Sequence, residues 1–184
     1  MKEMTDLVAG LMAVSARTAP KAGGKDFMEI VVVTNSSDLQ KIADAMKEYA
    51  PKSTNEAYWL RDASNIENSG ALVLIGLKSA VTAGYDCGGC GYPTCAEFSK
   101  YKQMKEKEMG YSGPHCIMRM MDIGVALSSA AKTASTLNVD NRVQQRVGAA
   151  AKALGFIKAE VVMGVPISIS GKSIYFDRQT QIKH

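Results

Sequence analysis

No stretch of this sequence approaches the roughly 20 consecutive apolar residues of a membrane-spanning helix, so no contact with a membrane is expected. Runs of lysine and arginine are also missing, as is any interleaving of basic with aromatic residues, and the formal net charge is only +4. A nucleic-acid surface is therefore not indicated. No internal repeat and no low-complexity linker interrupts the chain. Leu7–Ala16 is apolar and ends in small residues, but Glu3 and Asp6 stand where a signal peptide would be basic, so no leader is expected. No nucleophile–base pair and no carboxylate pair can be picked out, which leaves hydrolytic chemistry without support. What is present is 184 residues, 46% hydrophobic and 22% charged. That is enough to fold as one compact domain over residues 1–184 around a sizeable core.

Cysteine is scarce, and its placement is the most informative feature. All four cysteines lie between Cys87 and Cys116, spaced C-x2-C-x4-C-x20-C in DCGGCGYPTC and GPHC. Thiolates are soft ligands, and a set of four suits an iron–sulfur cluster or zinc. Structural zinc usually takes two facing C-x2-C knuckles, whereas here the second pair, Cys95 and Cys116, is split. Gly88, Gly89 and Gly91 let the backbone wrap a bulky inorganic core and turn amides toward its sulfurs. The expected reading is a cluster held by Cys87, Cys90, Cys95 and Cys116, with zinc and a ligand-free or disulfide form as alternatives. Thiols committed to a metal suit a reducing compartment, so the expected location is cytoplasmic.

Around this segment the hydrophobic patterns mark helices and strands. Thr5 is expected to cap a helix with the apolar face Leu7, Val8, Leu11, Met12 and Val14, broken by Pro20 and Gly23–Gly24. Phe27–Thr34 and Ala71–Leu77 read as buried strands, and Asp38–Tyr49 as a helix packing through Leu39, Ile42, Ala43 and Met46. Trp59 is expected in the core or a dimer contact. The charged stretch Ala96–Met109 reads as a helix with a solvated face; the alternative is that its lysines steer an acidic redox partner. His115, next to Cys116, is expected to make a hydrogen bond or face solvent rather than bind metal.

Ile117–Leu137 reads as the most buried helix, with one stripe of Ile123, Leu127, Ala130, Ala134 and Leu137. A second stripe, Gly124, Ser128, Ala131 and Ser135, is made of small residues and invites close approach by a partner helix or a flat cofactor. Asp140 is expected to cap a helix over Asn141–Leu154, with Val143, Val147, Ala150 and Leu154 inward and Gly155 ending it. A strand is expected over Ala159–Val165. Gly171–Ser173 does not make a phosphate loop, because Pro166 stands where that pattern needs glycine. Lys172 and Arg178 remain generic candidates for a phosphate-bearing ligand, and the polar tail Gln179–His184 is expected to fray.

The CGYPTC stretch resembles the four-cysteine cluster domain of Rnf-type electron-transport subunits and of corrinoid iron–sulfur proteins, which implies a [4Fe–4S] cluster. Met12–Val33, MAVSARTAPKAGGKDFMEIVVV, resembles a nitroreductase segment commonly reading AARLAPSAGNRQPWRFVVV, and aligns with it without a gap. The order of helix, helix, strand and glycine–proline step in the second half continues that likeness. The segments LMAVSARTAPKAGGKD, NVDNR and GKSIYFDR resemble hallmarks of a family of ferredoxin-domain proteins. Together these resemblances imply an α+β, nitroreductase-like fold: a central mixed sheet flanked by helices, with the cluster-binding segment 86–116 inserted.

They also imply a homodimer packed through Ile117–Leu137. In nitroreductases the Met12–Val33 loop touches flavin. Here Lys21, Gly24 and Asp26 replace the usual Ser, Asn and Gln, and no arginine-rich phosphate clamp precedes Met12. FMN is thus weakly supported, with Lys21, Lys172 and Arg178 as candidate replacement phosphate ligands. The functional expectation is a cluster-binding redox protein that passes electrons to a partner protein. The alternatives are a flavin-dependent reductase fed by the cluster, or a dimeric protein with a structural or sensing metal. Whether the chain is an oxidoreductase enzyme stays open at this stage.

Overall fold

The computed structural model describes residues 1–78, 81–102 and 107–176. Helix α1 (Lys2–Thr18) leads through a 3-10 turn at Ala22–Gly24 into strand β1 (Met28–Val33). Helices α2 (Ser36–Tyr49) and α3 (Glu56–Glu67) precede strand β2 (Ala71–Leu77). The cysteine segment then carries helix α4 (Cys95–Tyr101) and delivers the chain to the long helix α5 (Ile117–Thr136). The two-residue strand β3 (Asp140–Asn141), helix α6 (Gln145–Ala153) and strand β4 (Val161–Ser168) complete the fold. Arg178 and the tail Gln179–His184 lie outside the described residues.

The strands form one sheet in the order β1-β2-β4-β3, and every pairing among the described residues is antiparallel. This corrects the expectation of a mixed sheet. The physical reason is the end of the sheet to which each connection returns the chain. Helices α2 and α3 together return the chain from β1 to the end it left, so β2 runs back alongside β1.

Strand β2 is central, and all seven of its residues are buried. Ala71, Val73, Ile75 and Leu77 face a layer built on α1 and α5, while Leu72 and Leu74 face the layer of α2, α3 and α6. Because both faces are covered, the strand reads as one apolar run rather than an alternation. Helix α6 rests almost directly on β4: a Cβ at Gly148 would stand 2.2 Å from the Val162 carbonyl oxygen, so only glycine fits. Trp59 packs in the α2–α3–α6 layer, its ring 4.8 Å from that of Tyr49 in an edge-on arrangement.

Several expected details differ. Met1, not Thr5, stands at the N-cap of α1, and Thr5 is buried inside the first turns. Val8, Ala9, Met12 and Ala16 face the core, whereas Leu7, Leu11 and Val14 are exposed. Helix α1 lies close against both α5 and the sheet, and these neighbours select the stripe that turns inward. Asp140 belongs to β3 rather than capping α6; its carboxylate accepts from the Ile174 amide at 2.8 Å and the Ser173 hydroxyl at 3.1 Å. Gln144 occupies the N-cap of α6, Val147 and Ala150 are buried, and Val143 and Leu154 are exposed. Helix α4 ends at Tyr101, short of the expected Met109, and residues 103–106 of that stretch lie outside the description.

Candidate metal centre

Strand β2 delivers the chain into the cysteine segment at one end of the sheet. Gly88 and Gly91 adopt φ of 71° and 84°, a left-handed conformation that suits glycine and bends the segment back on itself around Cys90. Asp86, also left-handed at φ 47°, accepts a hydrogen bond from the Cys95 amide at 2.6 Å and so ties the two ends of the DCGGCGYPTC stretch together. Cys95 opens α4, where the Thr94 hydroxyl caps the helix by accepting from the Glu97 amide at 3.1 Å. Cys116 is the N-cap residue of α5. The segment and α5 also meet directly, since a Cβ at Gly89 would stand 2.6 Å from Ile117 Cγ2.

These local features bring all four cysteines to one recess, which Tyr85, Tyr92, Phe98 and Met118 also line. All four are free thiols, graded from exposed Cys87 through half-buried Cys90 and Cys95 to buried Cys116. Among the described residues no group of three or more His, Cys, Asp or Glu side chains is drawn together as the ligands of a single ion would be.

The electrostatics of two thiols differ in sign. Burial works to raise the Cys116 pKa, but amide hydrogen bonds from Ala83, Arg119 and Met118 outweigh it, and the thiol sits below its ordinary value. Two of those amides belong to the first turn of α5, where the helix dipole also favours negative charge. Burial raises Cys90, and the nearby thiols of Cys116 and Cys87 push the same way, against one hydrogen bond from the Ile117 amide at 3.2 Å.

His115 lies outside the lining of this recess. Its Nε2 bonds the Ser112 carbonyl oxygen, and its Nδ1 lies 3.7 Å from Glu160 Oε2. Lys21 sits at the end of α1, where its Nζ donates to the carbonyls of Ala16, Arg17 and Ala19 at 3.1, 2.8 and 2.8 Å. Lys172 lines a different recess, beside Asp140 and Ser173 and at the far end of α5 from Cys116. Sequence reasoning missed the pair Arg119–Asp122, buried in the first turns of α5 and joined at 2.9 Å. The available signal was opposite charge at i,i+3 in an otherwise apolar helix.

A ferredoxin-type cysteine segment set on an α+β scaffold of the nitroreductase kind is the class that this fold and this site define. The chain belongs to the family described as "Uncharacterized protein containing a ferredoxin domain", whose profile matches residues 112–178. A second profile, described as "Putative Fe-S cluster", matches residues 83–109. An uncharacterized protein of Archaeoglobus fulgidus is 46% identical over 176 residues, covering 96% of this chain and 92% of its own length.

The fold likeness extends to solved flavoproteins. A nitroreductase with bound FMN from Desulfitobacterium hafniense superposes with a TM-score of 0.57 at 15% identity, covering 97% of this chain and 86% of the other. Another nitroreductase with bound FMN, from Bacteroides fragilis, gives 0.55 at 14% identity, with coverage of 97% and 86%. A BluB-like flavoprotein from Clostridium difficile gives 0.52 at 17% identity, with coverage of 91% and 85%. At these identities the likeness is one of fold.

Proposed function

We propose that Cys87, Cys90, Cys95 and Cys116 ligate a [4Fe–4S] cluster and that the protein passes single electrons to a partner protein. The observation that carries this reading is the gathering of all four thiols on one recess, with first-turn amides of α5 directed at Cys116. The donor set fits: four soft thiolates match four iron corners and leave none open for substrate. Such a cluster, when bound, supplies reversible one-electron chemistry. The chain's residues do the rest. Amides at Cys116 and Cys90 stabilise negative charge on sulfur, and the Tyr92 and Phe98 rings, 5.7 Å apart, wall the recess on one side. Exposed Cys87 marks the edge that a partner reaches, and Lys100 on α4 favours an acidic one.

We also propose that a second copy of the chain packs against α1 and α5. Leu7, Leu11 and Val14 on α1 and Met121 and Val125 on α5 are exposed apolar side chains on two helices that pack together. No helix among the described residues is long and apolar enough to cross a membrane. Thiolate ligation favours a reducing compartment, which makes the cytoplasm the proposed location.

Assay of anaerobically purified protein for iron, sulfide, zinc and flavin tests the centre. About four iron and four sulfide per chain are expected. Stoichiometric zinc without iron, in protein never exposed to air, would end the cluster reading. Cys95→Ser should lose the cluster, whereas His115→Ala should keep its iron, since His115 does not line the recess.

A further inference from the structure

The turn between α1 and β1 is held to α5 by both polar groups of one residue. The Ala22 amide donates to Asp122 Oδ1 at 2.7 Å, and Arg119 Nη1 donates to the Ala22 carbonyl at 3.1 Å. Arg119 is 1% exposed and Asp122 5%, and their own pairing at 2.9 Å closes the circuit. The Phe27 ring, 4.6 Å from the guanidinium, covers it. Arg119 also supplies one of the three amides that reach the Cys116 sulfur. One short stretch of α5 therefore grips the turn with its side chains and the fourth cysteine with its backbone.

Lys21, Gly24 and Asp26 in the same turn are committed as well. Lys21 Nζ is bonded to three carbonyls at the end of α1, and the Gly24 amide donates to the Lys21 carbonyl at 2.9 Å. Asp26 accepts from Arg17 at 2.5 Å and from the Met28 amide at 2.9 Å. Tyr85, from the wall of the cysteine recess, reaches the turn: a Cβ at Gly23 would stand 3.1 Å from its hydroxyl.

FMN, present in solved relatives of this fold, needs unspent donors for its ring edge and cations for its phosphate. Here the Ala22 and Gly24 amides are spent, Lys21 is occupied, and the Asp26 carboxylate opposes a phosphate. The residues do not fit flavin. We propose that in this chain residues 21–26 form a brace for the cluster helix in place of a flavin site, with Arg119 and Asp122 as the positioning residues. This rests on the cluster reading above.

The test uses full-length, anaerobically purified protein and the variants Asp122→Asn and Asp122→Ala. Thr133→Val, which removes the 2.6 Å Ser15–Thr133 contact between α1 and α5, is the control. Three readings are taken: hydrogen exchange at Ala22–Lys25, iron release to a ferrous chelator, and the EPR signal of the reduced cluster. Both Asp122 variants should speed exchange at the turn and iron release several-fold and alter the EPR signal, while Thr133→Val leaves all three as in wild type. FMN titration should show no saturable binding, with or without iron.

One FMN bound per chain, with protection of Ala22–Lys25, would overturn the proposal. Wild-type iron release and EPR in both Asp122 variants would also overturn it. Protein that carries only zinc would end the electron-transfer reading alone. Zinc release from the same variants then decides the brace.

Discussion

At the scale of single residues, the closest contacts decide what can be changed. Gly148→Ala would drive a methyl group into the Val162 carbonyl, a backbone atom that cannot swing aside. Overpacking of this kind costs about 1–3 kcal/mol, which exceeds the helix-propensity gain of roughly 1 kcal/mol from replacing glycine. Urea unfolding of Gly148→Ala should therefore show a lower midpoint at unchanged slope.

Asp26 offers a test in acid. Burial works to raise its pKa, but the Arg17 hydrogen bond, the Met28 amide and the Lys21 charge prevail, and the folded value lies below the ordinary one. A depressed carboxylate adds stability above its unfolded pKa of about 3.9 and loses it as pH falls through the lower folded value. Asp26→Asn should accordingly lower the melting temperature near neutral pH, with the gap to wild type closing below about pH 4. A gap that stayed constant down to pH 2 would show that the charge contributes nothing.

At the scale of elements, β2 and α5 were legible because burial imposes a simple pattern on them. Ala71–Leu77 is an unbroken apolar run since both its faces are covered, and its bounds match the strand. The expectation for α5 ends one residue beyond the helix, at Leu137. Helix α1 was misread because apolar residues surround it on all sides, and only its neighbours select which stripe turns inward. Asp140 satisfied the rule for a cap, yet its carboxylate partners come from residues 173 and 174, a proximity that no local pattern encodes.

The outer face of α5 carries its own prediction. A Cβ at Gly124 would meet nothing within 4 Å in the single chain, so a leucine there costs the protomer little. If a second copy packs on this helix, that open space is filled by its backbone. Gly124→Leu should then leave the melting of the protomer nearly unchanged and convert a dimer to a monomer in light scattering. A wild-type protein that is monomeric at micromolar concentration would refute the dimer.

At the scale of the whole molecule, the four cysteines were legible from spacing alone, but their environment was not. Which amides reach Cys116 depends on where α5 begins, and the grip on Ala22 depends on packing between residues about a hundred positions apart. Strand direction was hidden for a similar reason, because it follows from the end of the sheet to which each connection returns the chain rather than from any strand's own residues. The nitroreductase likeness of the fold was visible in element order, which survives when the side chains of a site do not.

The pairing of β2 with β4 also has a consequence for how the chain is made. Leu77 pairs with Val161, so 84 residues must be added after β2 is complete before its second edge can close. At roughly 5–20 residues per second, the most apolar strand in the protein waits about 4–17 s beside the ribosome with a row of amides and carbonyls unpaired. Such an edge recruits other strands. A chain truncated before Val161 should therefore collect in the insoluble fraction when expressed, and adding back residues up to Ser168 should return it to the supernatant.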